Sequence, residues 1–536
     1  MRYAAFAVLS LSFALSASAL AQNDDKPDPT VPNPAFFKVE ERVTDGSVSV
    51  GGDSVAYQAH AGTLIVHPKD WDDATQPQGD EKNRTSDKTP AEAAMFYVAY
   101  LKKGENPEQR PVTFLFNGGP GSSTVWLHMG AFGPKRVITA DNAHSPAAPY
   151  QVVNNDESLL DASDLVFVDA PGTGFSRIAG KDKEKAFYGV DPDAHAFAAF
   201  ITQFLAKYGR WNSPKYLFGE SYGTTRSAVL VNLLETEYNV DFNGVILLSQ
   251  ILNFNLSVDR PEFQPGMDLP YQLALPTYAA TAWYHHRLPP QAPKDLPTLL
   301  AQVERFAMTE YALALQGGST IGPNWRKDVA NKLHLYTGLS TDYILKADLR
   351  IDGGEFEKNL EDANGTTIGR LDTRFSGPTL DPLSKQAGYD PQSAAISSAY
   401  VSAFNDYVRR ILNYGQDKEY KPEIPLFRDW NPQHQPPGSE RPLRQAANVM
   451  PDLANAIKYN PNLRILLNAG YFDLATPFFE GIYEMHHLQI PPRLQNNISF
   501  QFYESGHMVY ARQDSLKQLH DNVAAFIRQT NNQGQH

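Results

Sequence analysis

Gly219-Glu220-Ser221-Tyr222-Gly223 follows the apolar run Tyr216-Leu217-Phe218 and precedes a helix-compatible run from Thr224 to Tyr238. A strand that ends in Gly-x-Ser-x-Gly and enters a helix predicts a nucleophile elbow. The serine sits on a sharp turn, and the flanking glycines let the two segments approach without Cβ clashes. Chance also supplies this pentapeptide in long chains, so its weight comes from context. Glu220 is the unusual member: a carboxylate beside a nucleophile bears on specificity as well as chemistry.

Around the elbow, apolar runs recur at Val112 to Phe116, Leu165 to Val168, Val245 to Leu248, Ile465 to Leu467 and Ile498 to Phe502. Helical patterns fall between several of them, as at Ala194 to Tyr208 (opened by Asp191-Pro192) and Leu516 to Arg528. Continuous apolar strands alternating with helices predict an α/β protein with a doubly wound, mostly parallel central sheet covered on both faces. Upstream, Ser47 to Val50, Ser54 to Ala59 and Thr63 to His67, punctuated by Gly51-Gly52 and Gly62, predict a meander of short strands. Between about Asn255 and Arg441 the alternation lapses into helical stretches (Tyr278 to His286, Leu299 to Leu315, Ala399 to Tyr414) and Pro-rich loops. That interval predicts an inserted, largely helical cap. The expected organisation is therefore a leader over 1–21, a core over 22–254, a cap over 255–441 and the rest of the core over 442–536.

The leader is expected because Arg2 precedes an apolar stretch from Tyr3 to Leu15, with small residues at Ala17, Ala19 and Ala21. This has the form of a secretory signal peptide cleaved after Ala21, and it is too short for a spanning helix. An exported protein, bacterial periplasmic or extracellular, is expected. The 536 residues carry no cysteine and a formal net charge of -13. No thiol nucleophile, thiolate zinc site or nucleic-acid-binding basic face is implied. A core of this size needs no disulfides.

An elbow serine needs a base to take its proton and an acid to orient that base, in the chain order Ser, Asp or Glu, His. Asp473 stands three residues after the strand-ending Gly470, and His507 follows the last apolar run behind Gly506. Asp452 and Glu480 compete for the acid role but follow no strand so directly. An oxyanion hole needs two backbone N–H groups. Tyr222, just after the nucleophile, supplies one. The glycine-dense loop Asn117-Gly118-Gly119-Pro120-Gly121-Ser122-Ser123 supplies the other, at Gly119.

These segments, with Asp169-Ala170-Pro171-Gly172-Thr173-Gly174-Phe175-Ser176, Gly470-Tyr471-Phe472-Asp473 and Gly506-His507-Met508-Val509, resemble the serine carboxypeptidase family, exopeptidases of the α/β-hydrolase fold. The resemblance implies the triad Ser221, Asp473 and His507, the oxyanion donors Gly119 and Tyr222, and recognition of the substrate's terminal carboxylate by Asn117 and Glu220. A protonated carboxyl can donate to that carboxylate only while it is neutral. Many members carry a second glutamate two residues before a Gly-Pro pair. Here Ala131 stands at that place, ahead of Gly133-Pro134. With one acid fewer, Glu220 is expected to titrate lower than in two-glutamate relatives unless burial dominates.

The expected activity is that of an exported serine carboxypeptidase acting on peptides with a free C-terminus, without cofactor or metal and without a membrane span. An esterase or acyltransferase on the same scaffold, and a catalytically silent binding protein, are the alternatives. A blocked dipeptide compared with its C-terminal amide discriminates the first alternative, and a serine-directed fluorophosphonate the second.

Overall fold

The computed structural model describes residues 36–74, 90–426 and 428–532. The leader expected over 1–21, and residues 75–89, lie outside the described residues. Nine strands carry the main path of a ten-stranded sheet: β1 (Glu40–Val50), β2 (Asp53–Val66), β3 (Glu92–Lys102), β4 (Val112–Phe116), β5 (Asp164–Val168), β6 (Lys215–Glu220), β7 (Gly244–Leu248), β8 (Arg464–Gly470) and β9 (Ile498–Tyr503). Their spatial order is β1-β2-β3-β5-β4-β6-β7-β8-β9. β1 to β3 are antiparallel, and β3 meets β5 antiparallel. From β5 to β9 every pairing is parallel. The parallel part needs crossovers, and helices α1 (Val190–Lys207), α2 (Tyr222–Thr236), α7 (Met450–Tyr459) and α8 (Phe478–His486) lie along them, while α9 (Gln513–Thr530) follows the last strand.

Both faces of the sheet are buried, and alternate residues of one strand serve different cores. Phe114, Leu217, Val245 and Leu247 pack with Phe197 and Phe204 of α1 and Leu230 and Leu234 of α2. Leu115, Phe218, Ile246 and Leu248 face the other way, toward Leu516, Leu519, Val523 and Ile527 of α9. Two-sided burial is why these strands read as unbroken apolar runs.

The meander is corrected. Ser54 to Ala59 and Thr63 to His67 are not two strands; β2 is continuous across Gly62. A Cβ at Gly62 would stand 2.3 Å from the Glu40 carbonyl oxygen, so this glycine marks close approach to β1 rather than a turn. β3, absent from the sequence expectation, is an eleven-residue strand buried over most of its length. Its alanines, Ala93, Ala94 and Ala99, dilute the β-branched signal that marks the other strands.

Residues 255–441 contain α3 (Leu269–Tyr284), α4 (Leu296–Phe306), α5 (Pro323–Thr337), α6 (Pro391–Arg410) and a two-stranded pair, Thr366–Ile368 with Ser376–Pro378. The register of the central strands puts Phe116 beside Gly219, Glu220 beside Leu248, and Leu248 beside Asn468. Their carboxyl ends, and the loops that leave them, are therefore side by side.

Candidate active site

Ser221 joins β6 to α2 with φ 60° and ψ −128°. A non-glycine residue costs about 1–3 kcal/mol in such a region, so the surroundings must impose it. Ser221 N donates to Leu248 O at 2.9 Å, and Thr224 closes the turn by donating to Ser221 O from N (2.8 Å) and Oγ1 (2.7 Å). The glycines are needed for clearance. A Cβ at Gly219 would lie 2.1 Å from Gly223 O, and one at Gly118 would lie 2.4 Å from Tyr222 N.

The second contact brings the Asn117–Ser123 loop onto the elbow. Gly119 takes φ 104°. Neither Gly119 N nor Tyr222 N donates to an acceptor among the described residues, which leaves two N–H groups for an oxyanion. Arg226 of α2 anchors this loop from beneath: Nη1 donates to Asn117 O at 2.8 Å and Nε to Asp193 Oδ2 of α1 at 2.6 Å, all buried. Asp169 ties the far end by accepting from Thr124 N and Oγ1, both at 2.8 Å. The Asp169–Ser176 motif thus supports the loop rather than touching the serine.

His507 and Asp473 meet as the strand ends require. His507 Nδ1 lies 2.8 Å from Asp473 Oδ2. Asp473 also accepts from Ala475 N (2.9 Å), Thr476 N (3.0 Å) and Thr476 Oγ1 (2.7 Å). The end of β7 binds both halves together, since Leu248 O holds Ser221 N while Ser249 Oγ donates to His507 O at 2.7 Å. Burial opposes a charged imidazole at His507. The Asp473 carboxylate and its hydrogen bond, with Glu220 beyond, nevertheless leave its pKa above the ordinary value.

Glu220 lies in a buried cluster beside the triad. Tyr510 Oη donates to Glu220 Oε2 at 2.8 Å, and the Asn117 amide hydrogen-bonds both side chains. Burial pushes the Glu220 carboxyl up to about 7; the His507 charge and the two donors pull the other way, and Asp473 adds to the rise. Burial therefore dominates over the donors around Glu220. Ala131 itself is fully buried on the turn Leu127–Phe132.

The competing acids are engaged elsewhere. Asp452 Oδ2 meets His434 Nε2 at 2.7 Å, while Asp191 holds the other ring nitrogen. Glu480 is buried beside Glu484. Sequence reasoning missed Tyr510, and it missed a clamp from residues 370–374. Leu371 O accepts from His507 N (2.7 Å), Thr373 N donates to Phe472 O (2.9 Å), and Asp372 Oδ2 accepts from Gly506 N (3.2 Å). The tight Gly506 was the available signal, since a Cβ there would stand 2.5 Å from Asp372 Cβ. A cavity of about 680 Å³ opens beside Gly119, lined by Pro120, Ile424, Leu426, Trp430 and Pro432. Among the described residues no group of three or more His, Cys, Asp or Glu could hold a metal ion, and no helix is long and apolar enough to cross a membrane.

A parallel sheet in this order, with a strained serine after β6 and a paired Asp–His at the ends of β8 and β9, defines an α/β-hydrolase. The sequence model of the family described as serine carboxypeptidase matches residues 85–261. That match covers the loop, the Asp169–Ser176 segment and the elbow; Asp473 and His507 lie beyond it. A pheromone-processing carboxypeptidase of Phytophthora infestans is 27% identical over 176 residues, 30% of this chain and 24% of that protein. A serine carboxypeptidase-like protein of Arabidopsis thaliana is 26% identical over 188 residues, 33% of this chain and 41% of its own. One from Oryza sativa subsp. japonica is 34% identical over 136 residues, 24% of this chain and 28% of its own. The matched region thus spans less than half of these relatives' length. Among solved structures, a proline iminopeptidase of Mycobacterium smegmatis aligns at 12% identity and TM-score 0.34, covering 91% of this chain and 99% of that one.

Proposed function

We propose that this protein is an exported serine carboxypeptidase, removing C-terminal residues from peptides through an acyl-enzyme on Ser221. The observation that carries the reading is Glu220. A buried carboxyl with a pKa of about 7, one residue before the nucleophile and bonded to Asn117, is a donor for a substrate carboxylate near neutral pH. An esterase acting on uncharged substrates has no use for such a group.

In this mechanism Ser221 Oγ attacks the carbonyl carbon of the last peptide bond while His507 Nε2 takes its proton. Asp473 accepts from His507 Nδ1 and stabilises the imidazolium. The N–H groups of Gly119 and Tyr222 hold the tetrahedral oxyanion. Collapse breaks the C–N bond as His507 returns the proton to the departing amine, which leaves as the free terminal amino acid. Water, deprotonated by the same imidazole, then cleaves the ester and frees Ser221. The apolar cavity at Trp430 and Ile424 suits the side chain on the acyl side of the bond. Residues 255–441 form the cap in this reading, and export follows from the leader over 1–21.

Mass spectrometry of a peptide mixture incubated with the protein tests the activity. Sequential loss of C-terminal residues, with the free acid of a blocked dipeptide cleaved far faster than its amide, is expected. Equal turnover of acid, ester and amide would favour an esterase or acyltransferase instead. Absence of fluorophosphonate labelling at Ser221 would favour a silent binding protein. Export is checked by sequencing the N-terminus of the secreted or periplasmic form, expected to begin at Gln22.

A further inference from the structure

We propose that Tyr510 is a positioning residue for carboxylate recognition: by donating to Oε2 of Glu220 it reserves the acid's own proton for Oε1, from which that proton is offered to the substrate. The inference rests on the carboxypeptidase reading and assigns a role that neither the motifs nor the family resemblance gives.

The direction of each hydrogen bond in the cluster can be traced from the backbone. Leu127 N–H can only donate, and its acceptor is Asn117 Oδ1 at 3.2 Å. That contact fixes the amide flip, so Asn117 turns its NH₂ toward Tyr510 and Glu220. Because the amide donates to the phenol oxygen, the Tyr510 hydroxyl is left with its proton to give. It gives it to Glu220 Oε2 at 2.8 Å. An oxygen that accepts from the phenol is not the one that carries the acid's proton. The neutral acid is therefore protonated on Oε1, and its donor direction is set before substrate arrives. Without this ordering, a lone neutral glutamic acid could place its proton on either oxygen, and half of those states would present a lone pair to the incoming carboxylate.

The packing explains how a tyrosine reaches this position. Tyr510 lies three residues after His507, on the turn Val509–Ala511. Its ring rests on Gly130, where a Cβ would stand 2.7 Å from Tyr510 Cδ2 and 2.5 Å from Tyr400 Cε1. Gly130 adjoins Ala131, the place at which the resemblance puts a second acid. A hydroxyl arriving from the histidine loop thus serves the side of Glu220 from which that carboxyl is missing. Three other titratable groups face Glu220: His507, Asp473 and Tyr400. None of them donates to the Glu220 carboxyl among the described residues, so removal of the Tyr510 hydroxyl takes away the donor to Oε2.

The test is Tyr510→Phe in the full-length protein, assayed on a peptide with a free C-terminus and on the matching C-terminal ester across pH. Fluorophosphonate labelling of Ser221 is followed in parallel as a readout of the intact triad. The free acid is expected to lose about tenfold to a hundredfold in kcat/KM, the scale of one hydrogen bond to a charged group, mostly through KM. Ester turnover and labelling rate should stay within about twofold of wild type. The alkaline limb for the free acid should move up in pH, because a donor to the carboxylate form is gone. Equal losses on acid and ester, or slowed labelling, would reduce Tyr510 to a structural support of the histidine loop and overturn the proposal. Retention of the wild-type acid preference and pH limb would overturn it as well. Wild-type protein with no preference for the free acid would instead sink the carboxypeptidase reading itself, which distinguishes the two failures.

Discussion

Asp473 and Glu220 both stand at the carboxyl ends of sheet strands and both are buried, yet their surroundings differ in one countable respect. Four donors converge on Asp473: two backbone N–H groups, the Thr476 hydroxyl and His507. Only an acceptor can satisfy that arrangement. Around Glu220 the donors are two side chains, Tyr510 and Asn117, and burial prevails, with the carboxyl pushed up to about 7. The same functional group thus meets four donors at one strand end and two at another, two strands away.

The largest effect is expected from breaking the acceptor side. Asp473→Asn presents an amide where four donors need a carboxylate, so His507 loses its tautomer and the imidazolium its counter-charge. A fall in kcat of about 10⁴-fold is expected, alike for free-acid and ester substrates. Steady-state kinetics on the pair checks it, and a loss confined to the free acid would refute the assigned role.

On the other side, wild-type kcat/KM for free-acid peptides should decline as pH rises through the Glu220 pKa near 7. Two units above it about 1% of the carboxyl remains neutral, so the decline approaches a hundredfold by pH 9. Glu220→Gln keeps a donor that does not titrate, and its profile should lose this limb. A variant that reproduces the wild-type limb would remove Glu220 from carboxylate recognition.

The same substitution reads out the cost of burial. Glu220 binds its proton more tightly folded (about 7) than at its ordinary value of 4.5, so wild-type stability is full below about 4.5 and declines as pH rises toward 7. Glu220→Gln should gain over wild type across that window, reaching ~3 kcal/mol at its upper end. Denaturant melts at pH 4.5 and 7.5 measure the gain; a constant difference would contradict the raised carboxyl. The smallest effect is expected from Thr476→Val, which removes one of the four donors to Asp473. A loss in kcat of about tenfold, with the acid-to-ester preference unchanged, would show the count of donors to be graded.

Much of the site was legible because it is made of backbone. Gly118, Gly219 and Gly223 are required by backbone atoms within 2.9 Å of where a Cβ would be, and Gly119 by its own loop at Gly121 N, 2.7 Å away; such needs leave contiguous glycine-dense motifs. Asp473 and His507 were legible from their places after the apolar run Ile465–Leu467 and the edge strand Ile498–Tyr503. β3 escaped notice because alanine packs in a strand without announcing it. Gly62 misled because a glycine at a close approach and a glycine at a turn look alike in sequence.

The sequence by itself marked the parallel strands, the elbow serine and the separate places of Asp473 and His507 after their strands, since each of those marks is local in the chain. Only the tertiary structure decided what surrounds Glu220. Its partner Tyr510 is 290 positions away, and the 370–374 clamp reaches the histidine loop from a different part of the chain. A carboxyl's protonation state depends on how much water is excluded and which donors arrive, and both are set by packing between distant segments.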